Sequence, residues 1–282
     1  MNLEKIIPKD GPSIEEVEKY VKKYSNELIV IKCGGSVLLD ENLFNQFIED
    51  ISVINKLGLS AIVVHGGGKN IKKKLDKYKI ESKFIDGLRV SDEKTIKIVE
   101  EALLELNSEI LNNINIKGAN AKSVTPKNGN LIKIIPEKKE LGFVGKPKEI
   151  NKELLLNIVR EKKVPIIVPM GIGEDGKIYN INADVAATVI AKEINSRRLL
   201  LMTDVEGVLD KNKNLMSEID SSVASKMLKS GEILGGMLVK IQTCLDAVNN
   251  GVTGVVIVDG RKPHSILFEL FSDKGSGTLI RK

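Results

Sequence analysis

Apolar positions along the chain fall into two patterns that alternate. Short β-branched runs are separated by longer stretches in which apolar residues recur every third or fourth position. That is the signature of strands and helices alternating in a parallel α/β sheet. Ile29, Val30 and Ile31, with Leu28 ahead of them, read as a strand buried on both faces. Residues 61–64, 165–169, 199–202 and 254–258 read as further strands. Helices are predicted over residues 42–57, 151–161, 222–230, 236–250 and 263–271, and from Asp184 onward. The longest runs from Asp92 to about residue 113 with a stripe of Ile96, Val99, Leu103, Leu106 and Ile110. Residues 122–149 change character, with polar runs around Asn128-Gly129-Asn130 and from Gly142 to Pro147, and are predicted to form hairpins over one face. Before the first strand, Ser13-Ile-Glu-Glu16 is a capping-box pattern, and Ile14, Val17, Val21 and Tyr24 follow at helical spacing. A helix this short is marginal alone, so its apolar stripe should pack on something.

Several of these elements end in chemistry. The first strand runs into Lys32-Cys33-Gly34-Gly35, placing a cation at the carboxyl end of a strand, where open α/β sheets bind their ligands. Its glycines allow backbone N–H groups to approach a ligand closely. The second strand runs into His65-Gly66-Gly67-Gly68 and a lysine-rich helix, a pattern for an anion held at a helix N-terminus, with His65 read as structural. Gly171-Ile-Gly-Glu-Asp-Gly176 has the spacing of a dinucleotide fingerprint, but Lys177-Ile-Tyr-Asn-Ile-Asn follows instead of a helix. Glu174 and Asp175 would also repel a pyrophosphate, so this segment reads as a hairpin turn. A Walker loop is absent. Asn180, Asn182 and Asp184 precede an alanine-rich helix. One of them suffices as a cap; three alternating along an extended segment would share a face and meet a polar substrate. Another strand ends in Thr203-Asp204 and turns at Gly207, and Gly231, Gly235 and Gly236 lead a helix that carries Lys240. In a first turn Lys240 would oppose the helix dipole, so it is expected to reach towards an anion.

Composition narrows the class. The chain has 282 residues, 42% of them hydrophobic, enough for a sizeable core. A net charge of +5 spread without blocks argues against nucleic acid as a partner and leaves room for a small anionic substrate. Two cysteines, Cys33 and Cys244, make neither a disulfide framework nor a metal site. No apolar run is long enough to span a bilayer, and the polar start MNLEKIIPKDG is no signal peptide. A soluble, cytoplasmic protein with no membrane partner is expected.

Lys32-x-Gly-Gly, His65-Gly-Gly-Gly, Gly87-Leu-Arg89-Val, Asn180-Ile-Asn-Ala-Asp184, Thr203-Asp-Val-Glu-Gly207 and Gly235-Gly-Met-Leu-Val-Lys240, in that order, resemble the amino acid kinase family over residues 28–282. Gly-Leu-Arg-Val followed by Asp92, with Asn180-Ile-Asn182, narrows the resemblance to the acetylglutamate kinase branch. The resemblance implies a three-layer αβα sandwich around a mostly parallel, eight-stranded sheet. It implies a helical extension over residues 1–26, an amino-acid-substrate lobe over 27–195 and an ATP-binding lobe over 196–282. ATP would donate a phosphoryl group to the side-chain carboxylate of N-acetyl-L-glutamate, in arginine biosynthesis, with Mg²⁺ held by the ATP phosphates and not by a protein metal site. Gly67 and Gly68 would hold the substrate through backbone N–H groups, Arg89 would pair with a carboxylate, and Asn180 would bond the amino-acid portion. Lys32 and Lys240 would flank the transferred group, with Asp184 holding both. Gly34, Gly35, Thr203, Asp204, Val205, Gly207, Val208, Leu209, Gly235 and Gly236 would surround the nucleotide, as parts of the first glycine turn and of segments 203–209 and 232–236.

Relatives inhibited by arginine carry an N-terminal helix exchanged between dimers. Their C-terminal signature is matched by His264, Leu267-Phe-Glu-Leu-Phe271 and Gly275-x-Gly277-Thr278. The resemblance therefore implies L-arginine as an effector beside Tyr20, His264, Glu269, Gly275 and Gly277, and a homo-oligomer, a hexamer built from three dimers. It leaves open a signalling partner of the PII type. Rival readings are a carrier-linked aminoadipate kinase of the same fold and a non-catalytic amino-acid sensor. Two departures stand out: Val239 lies where many relatives carry proline, and Cys33 lies beside the site, where thiol modification would inhibit.

Overall fold

The computed structural model describes residues 2–233 and 235–282. Its helices are α1 (Ile14–Tyr24), α2 (Glu41–Lys56), α3 (Gly68–Lys77), α4 (Glu93–Ile116), α5 (Pro126–Gly129), α6 (Lys152–Arg160), α7 (Ala183–Glu193), α8 (Ser221–Lys229), α9 (Gly235–Asn249) and α10 (Ser265–Phe271). The strands in the first half are β1 (Leu28–Cys33), β2 (Ser60–His65), β3 (Phe84–Ile85), β4 (Leu88–Arg89), β5 (Ala121–Val124), β6 (Ile132–Pro136) and β7 (Gly145–Ile150). Then come β8 (Val164–Ile167), β9 (Met170–Ile172), β10 (Ile178–Asn180), β11 (Arg198–Thr203), β12 (Glu218–Asp220), β13 (Val255–Asp259) and β14 (Gly277–Arg281).

Eight strands form one sheet in the order β12-β14-β13-β11-β1-β2-β8-β5. All neighbours are parallel except β13 and β14. The central strands are apolar on both faces because helices cover both: Ile29, Val30 and Ile31 of β1 are wholly buried, as are Leu199 and Leu200 of β11. One face packs on α1, α2, α10 and part of α4, the other on α6, α7, α8 and α9. This is the expected three-layer αβα architecture. Among the described residues, no helix is long and apolar enough to cross a membrane.

Local chemistry sets the helix boundaries. Asp92 caps α4, accepting from the N–H groups of Lys94 at 3.1 Å and Thr95 at 2.7 Å, and the expected stripe from Ile96 to Ile110 is buried. The Ser13–Glu16 capping box opens α1. Its stripe packs on α10 of the same chain: Val17 and Tyr24 are buried, and the Tyr24 ring meets Phe271 edge-on, centroids 6.5 Å apart.

The segment 122–149 departs from expectation. Residues 121–124 are the edge strand of the main sheet, parallel to β8, a short α5 follows, and only β6 and β7 form a hairpin. That hairpin belongs to a second sheet, β10-β9-β6-β7, whose β9–β10 pair contains the expected turn at Gly171–Gly176. Three features went unforeseen: the two-stranded hairpin β3–β4, the strand β12, and β14, the antiparallel strand near the C-terminus.

Candidate active site

The carboxyl ends of β1, β2 and β11 lie side by side, Lys32 being level with Val64 and Leu201. The Lys32 ammonium folds back over Gly34 and ends 2.9 Å from Oδ1 of Asp184. Asp184 is in the first turn of α7, placed there by Asn182, whose side-chain oxygen accepts from the Asp184 N–H at 2.8 Å and the Val185 N–H at 3.3 Å. From the other side Lys240 brings its ammonium to 3.8 Å from Asp184 Oδ2. One carboxylate thus faces two lysines. Burial pushes the Asp184 carboxyl up, but Lys32 and Lys240 together outweigh it and hold the group below the usual carboxylate range.

Two expectations about this cluster need correction. Lys240 is in the second turn of α9, not the first, so the attraction of Asp184 orients it and not an escape from the helix dipole. Asn180, Asn182 and Asp184 do not share one extended face: Asn180 ends β10, Asn182 is the helix cap, and Asp184 is helical. All three nonetheless line one cavity.

That cavity, about 200 Å³, is bounded by Lys32, Gly68, Arg89, Asn180 and Asp184, with Ile71, Phe84, Leu88, Leu103, Val144 and Ile181 as apolar wall. Arg89 is 8% exposed: Nη2 donates to the Gly68 carbonyl at 3.1 Å, Nη1 donates to Ser82 Oγ, and the guanidinium lies 4.8 Å from the Phe84 ring centre. The arginine therefore ties the β3–β4 hairpin to the start of α3. Gly67 stands behind the cavity, where any side chain would collide with Leu103. His65 is buried and neutral, its value lowered to about 4 by burial. Its Nδ1–H donates to the Gly66 carbonyl at 2.8 Å, and Nε2 accepts from the Asn107 amide at 3.1 Å. It shapes the glycine loop and takes no part in the cavity.

On the other side of β1, Thr203 ends β11. Gly207 and Val208 are pinned to β14, the Val208 N–H donating to Thr278 Oγ1 at 2.8 Å, while Val205 and Leu209 are exposed. Gly235 and Gly236 open α9 with free space where their side chains would stand. Leu234, within the expected segment 232–236, lies outside the described residues. Asp204 turns towards Gly35 and Ser36: the Ser36 hydroxyl donates to Oδ1 at 2.6 Å and its N–H at 3.2 Å.

Comparison with known proteins decides the family. The profile of the amino acid kinase family matches residues 27–259. The chain belongs to this family. Within it, the chain is 54% identical to the acetylglutamate kinase of Pelagibacter ubique over 277 residues, covering 98% of this chain and 96% of that one. Fold neighbours of this amino acid kinase include the N-acetylglutamate synthase of Neisseria gonorrhoeae complexed with coenzyme A and N-acetyl-glutamate. That likeness has a TM-score of 0.86 at 20% identity, over 96% of this chain and 64% of the synthase. The carbamate kinase of Giardia lamblia bound to AMP-PNP matches with a TM-score of 0.68 at 17% identity, over 91% of this chain and 98% of that one.

The kinase has a second polar cavity, about 250 Å³, between α1, α10 and the sheet, whose lining includes Tyr20, Lys23, Arg198, Glu269 and Gly275. His264 and Gly277, expected with them, are not part of its lining. His264 is buried elsewhere, Nδ1 lying 2.6 Å from Asp50 Oδ1 and Nε2 3.3 Å from Asp10 Oδ1. Gly277 is a strand residue whose side chain would overlap the Ile257 carbonyl, so close strand pairing demands glycine there. Cys33 also departs from expectation: strand alternation turns it into the core, away from Lys32, and burial pushes its thiol far up. Sequence reasoning missed Ser36, Ser82 and Phe84. A signal for the last two was present, since Asp86-Gly87, both left-handed at φ 51° and 78°, is a favoured two-residue hairpin turn.

Proposed function

We propose that the chain transfers the γ-phosphoryl group of ATP to the side-chain carboxylate of N-acetyl-L-glutamate, forming N-acetyl-L-glutamyl 5-phosphate and ADP, in the cytoplasm, as a step in arginine biosynthesis. The name of the 54%-identical relative supports the substrate. The observation that carries the mechanism is Asp184 set between Lys32 and Lys240 at the mouth of the Arg89 cavity.

A carboxylate nucleophile is already ionised near neutral pH, with an ordinary value of about 4.3, so no general base is required. What the reaction needs is in-line placement and cancellation of charge on the transferred group. In this reading Lys32 and Lys240 provide the cancellation, and Asp184 holds both ammoniums in place before substrates arrive. Arg89 would pair with the substrate's other carboxylate and Asn180 would bond its acylated amino-acid portion. The open start of α9 at Gly235 and Gly236 fits the ATP phosphates, and Val205 and Leu209 are exposed after β11. Mg²⁺, carried on those phosphates, supplies further charge neutralisation when bound; both Asp184 oxygens already face lysines, so that carboxylate is not assigned to the metal. Residues 27–195 would then serve as the amino-acid lobe and 196–282 as the nucleotide lobe, meeting where β1 pairs with β11.

The test is ADP release from MgATP with N-acetyl-L-glutamate, L-glutamate and aminoadipate as acceptors. Strong preference for the acetylated acceptor is expected; equal rates with unblocked glutamate would overturn the substrate assignment. Lys32→Ala and Lys240→Ala should each lose roughly 100-fold or more in kcat, the scale of losing one preorganised transition-state donor.

We propose further that L-arginine inhibits the enzyme from the second cavity. Glu269 there is half-buried, its carboxyl raised by burial, and lines the same space as Arg198, Lys23 and Tyr20. A guanidinium suits Glu269, and an amino-acid carboxylate suits Arg198. Helix α1 forms one wall of this cavity, and with residues 1–26 it is proposed to join three dimers into a hexamer through the surface it leaves exposed. Light scattering and an arginine titration on the whole chain and on a form lacking residues 1–24 test both halves. A monodisperse hexamer reduced to an active dimer, with the arginine response lost, is expected; an unchanged assembly or an arginine-blind parent enzyme would refute them.

A further inference from the structure

We infer that Asp204 is a positioning residue: its carboxylate anchors the Gly34-Gly35-Ser36 turn and, through that turn, sets the placement of the Lys32 ammonium. The inference rests on the reading of Lys32 as the lysine that flanks the transferred phosphoryl group.

Two successive glycines give a turn more backbone freedom than any other pair, so a defined conformation there needs an external hold. β1 and β11 are parallel neighbours with Lys32 level with Leu201, which brings the turn after β1 opposite Asp204 just after β11. Oδ1 of Asp204 accepts twice from Ser36, at 2.6 Å from the hydroxyl and 3.2 Å from the backbone N–H. The carboxylate also lies over Gly35: a Cβ there would stand 2.8 Å from Oδ1, and Gly35 is left-handed at φ +66°. The neighbouring glycine is covered by Lys32, whose Nζ would be 2.9 Å from a Cβ on Gly34. The turn is therefore held between an anion from one half of the fold and a cation from the other, and each glycine clears the way for one of them.

This use of Asp204 explains how a carboxylate is tolerated beside a triphosphate site. Burial pushes the group up, but the two Ser36 hydrogen bonds, with Lys69 and Arg261 nearby, outweigh it and keep the carboxylate ionised and locally balanced. Asp204 then faces the turn and not the nucleotide, which refines its expected place among the nucleotide contacts.

The experiment compares Asp204→Ala, Asp204→Asn and Ser36→Ala with the parent enzyme in steady-state kinetics, with thermal unfolding of each to check the fold. Asparagine keeps an acceptor oxygen for Ser36 but no charge. Asp204→Ala is expected to lose roughly 10- to 100-fold in kcat, the scale of a misplaced catalytic group, with the KM for the acceptor changed less than about threefold. Asp204→Asn should recover most of the loss. Ser36→Ala should fall between, and should add nothing to Asp204→Ala. Parent-like kcat in Asp204→Ala would overturn the inference, as would an Asn variant as impaired as the Ala variant, or additive losses in the double variant. Lys32→Ala is the control: near-normal turnover there would sink the underlying assignment, whereas a dead Lys32→Ala beside a normal Asp204→Ala sinks only this inference.

Discussion

Lys32 reaches Asp184 across the bare Cα of Gly34, where a methyl group would stand 2.9 Å from the ammonium nitrogen. The glycine is extended, at φ −168°, so alanine there brings no backbone strain. Gly34→Ala should therefore fold normally and still displace the lysine. We expect thermal unfolding within a few degrees of the parent and a loss of about 10- to 100-fold in kcat. Unchanged turnover would mean that the lysine has a second route to Asp184.

Asp184→Asn should lose at least about 100-fold in kcat while retaining its circular dichroism, because two ammoniums are then left without their shared anion. The parent's pH dependence follows from the depressed value of this carboxylate. Its ion pairs are fully present above the unfolded value of about 3.9 and are lost only as pH falls through the lower folded value. Between pH 5 and 8 Asp184 should contribute no change in unfolding free energy, so the difference between the parent and Asp184→Asn in denaturant titrations should stay constant over that range.

Thiol reagents should leave the native enzyme active. Both cysteines are buried, with the Cys33 thiol pushed far up and Cys244 pushed up to about 12, so almost no thiolate is exposed to react. Mass spectrometry after iodoacetamide should find no native adduct and two adducts in denaturant. Rapid native labelling at Cys33 with loss of activity would contradict this.

The His264–Asp50 pair should make stability fall as pH rises. Burial raises Asp50 to about 6, and the hydrogen bond to Asp50 raises His264, with Asp10 and Glu49 facing the same ring. Both folded values exceed the unfolded ones, so the folded pair binds protons more tightly. The contribution is complete below the unfolded values, fades for Asp50 between about 4 and 6, and fades for His264 as pH climbs from 6.5 through its higher folded value. Urea midpoints for the parent and for His264→Gln at pH 6 and 8.5 test it; the parent's decline over that interval should be flattened in the variant.

Much of the fold was legible because its strands and helices carry local periodicity. The buried stripe of α4, the run into Lys32 and the capping box of α1 are all written in neighbouring residues. What was missed depends on distant partners. Residues 121–124 look like one arm of a polar hairpin until β8 offers them an edge, and β14 is a strand only because β12 and β13 flank it. The site shows the same division. Gly34 and Gly35 signalled close approach, but their neighbours could not show that the approaching groups are Lys32 itself and Asp204. His264 lay in a motif associated with an effector, yet a buried Asp50 on α2 claims its ring.

The position of β1 has a consequence for how the enzyme is made. This strand is synthesised early but ends near the middle of the sheet, and one of its two edges waits for β11, some 170 residues later. At ordinary ribosomal speeds that is roughly 10 to 35 seconds. β2 can cover one side of Ile29, Val30 and Ile31 soon after it emerges, whereas the other side stays an unpaired, β-branched edge until translation passes Leu201. A nascent chain in this state presents the kind of surface that chaperones bind and that seeds aggregation. The same pairing brings the Gly34-Gly35-Ser36 turn to Asp204, so the turn gains its hold in the step that removes the hazard.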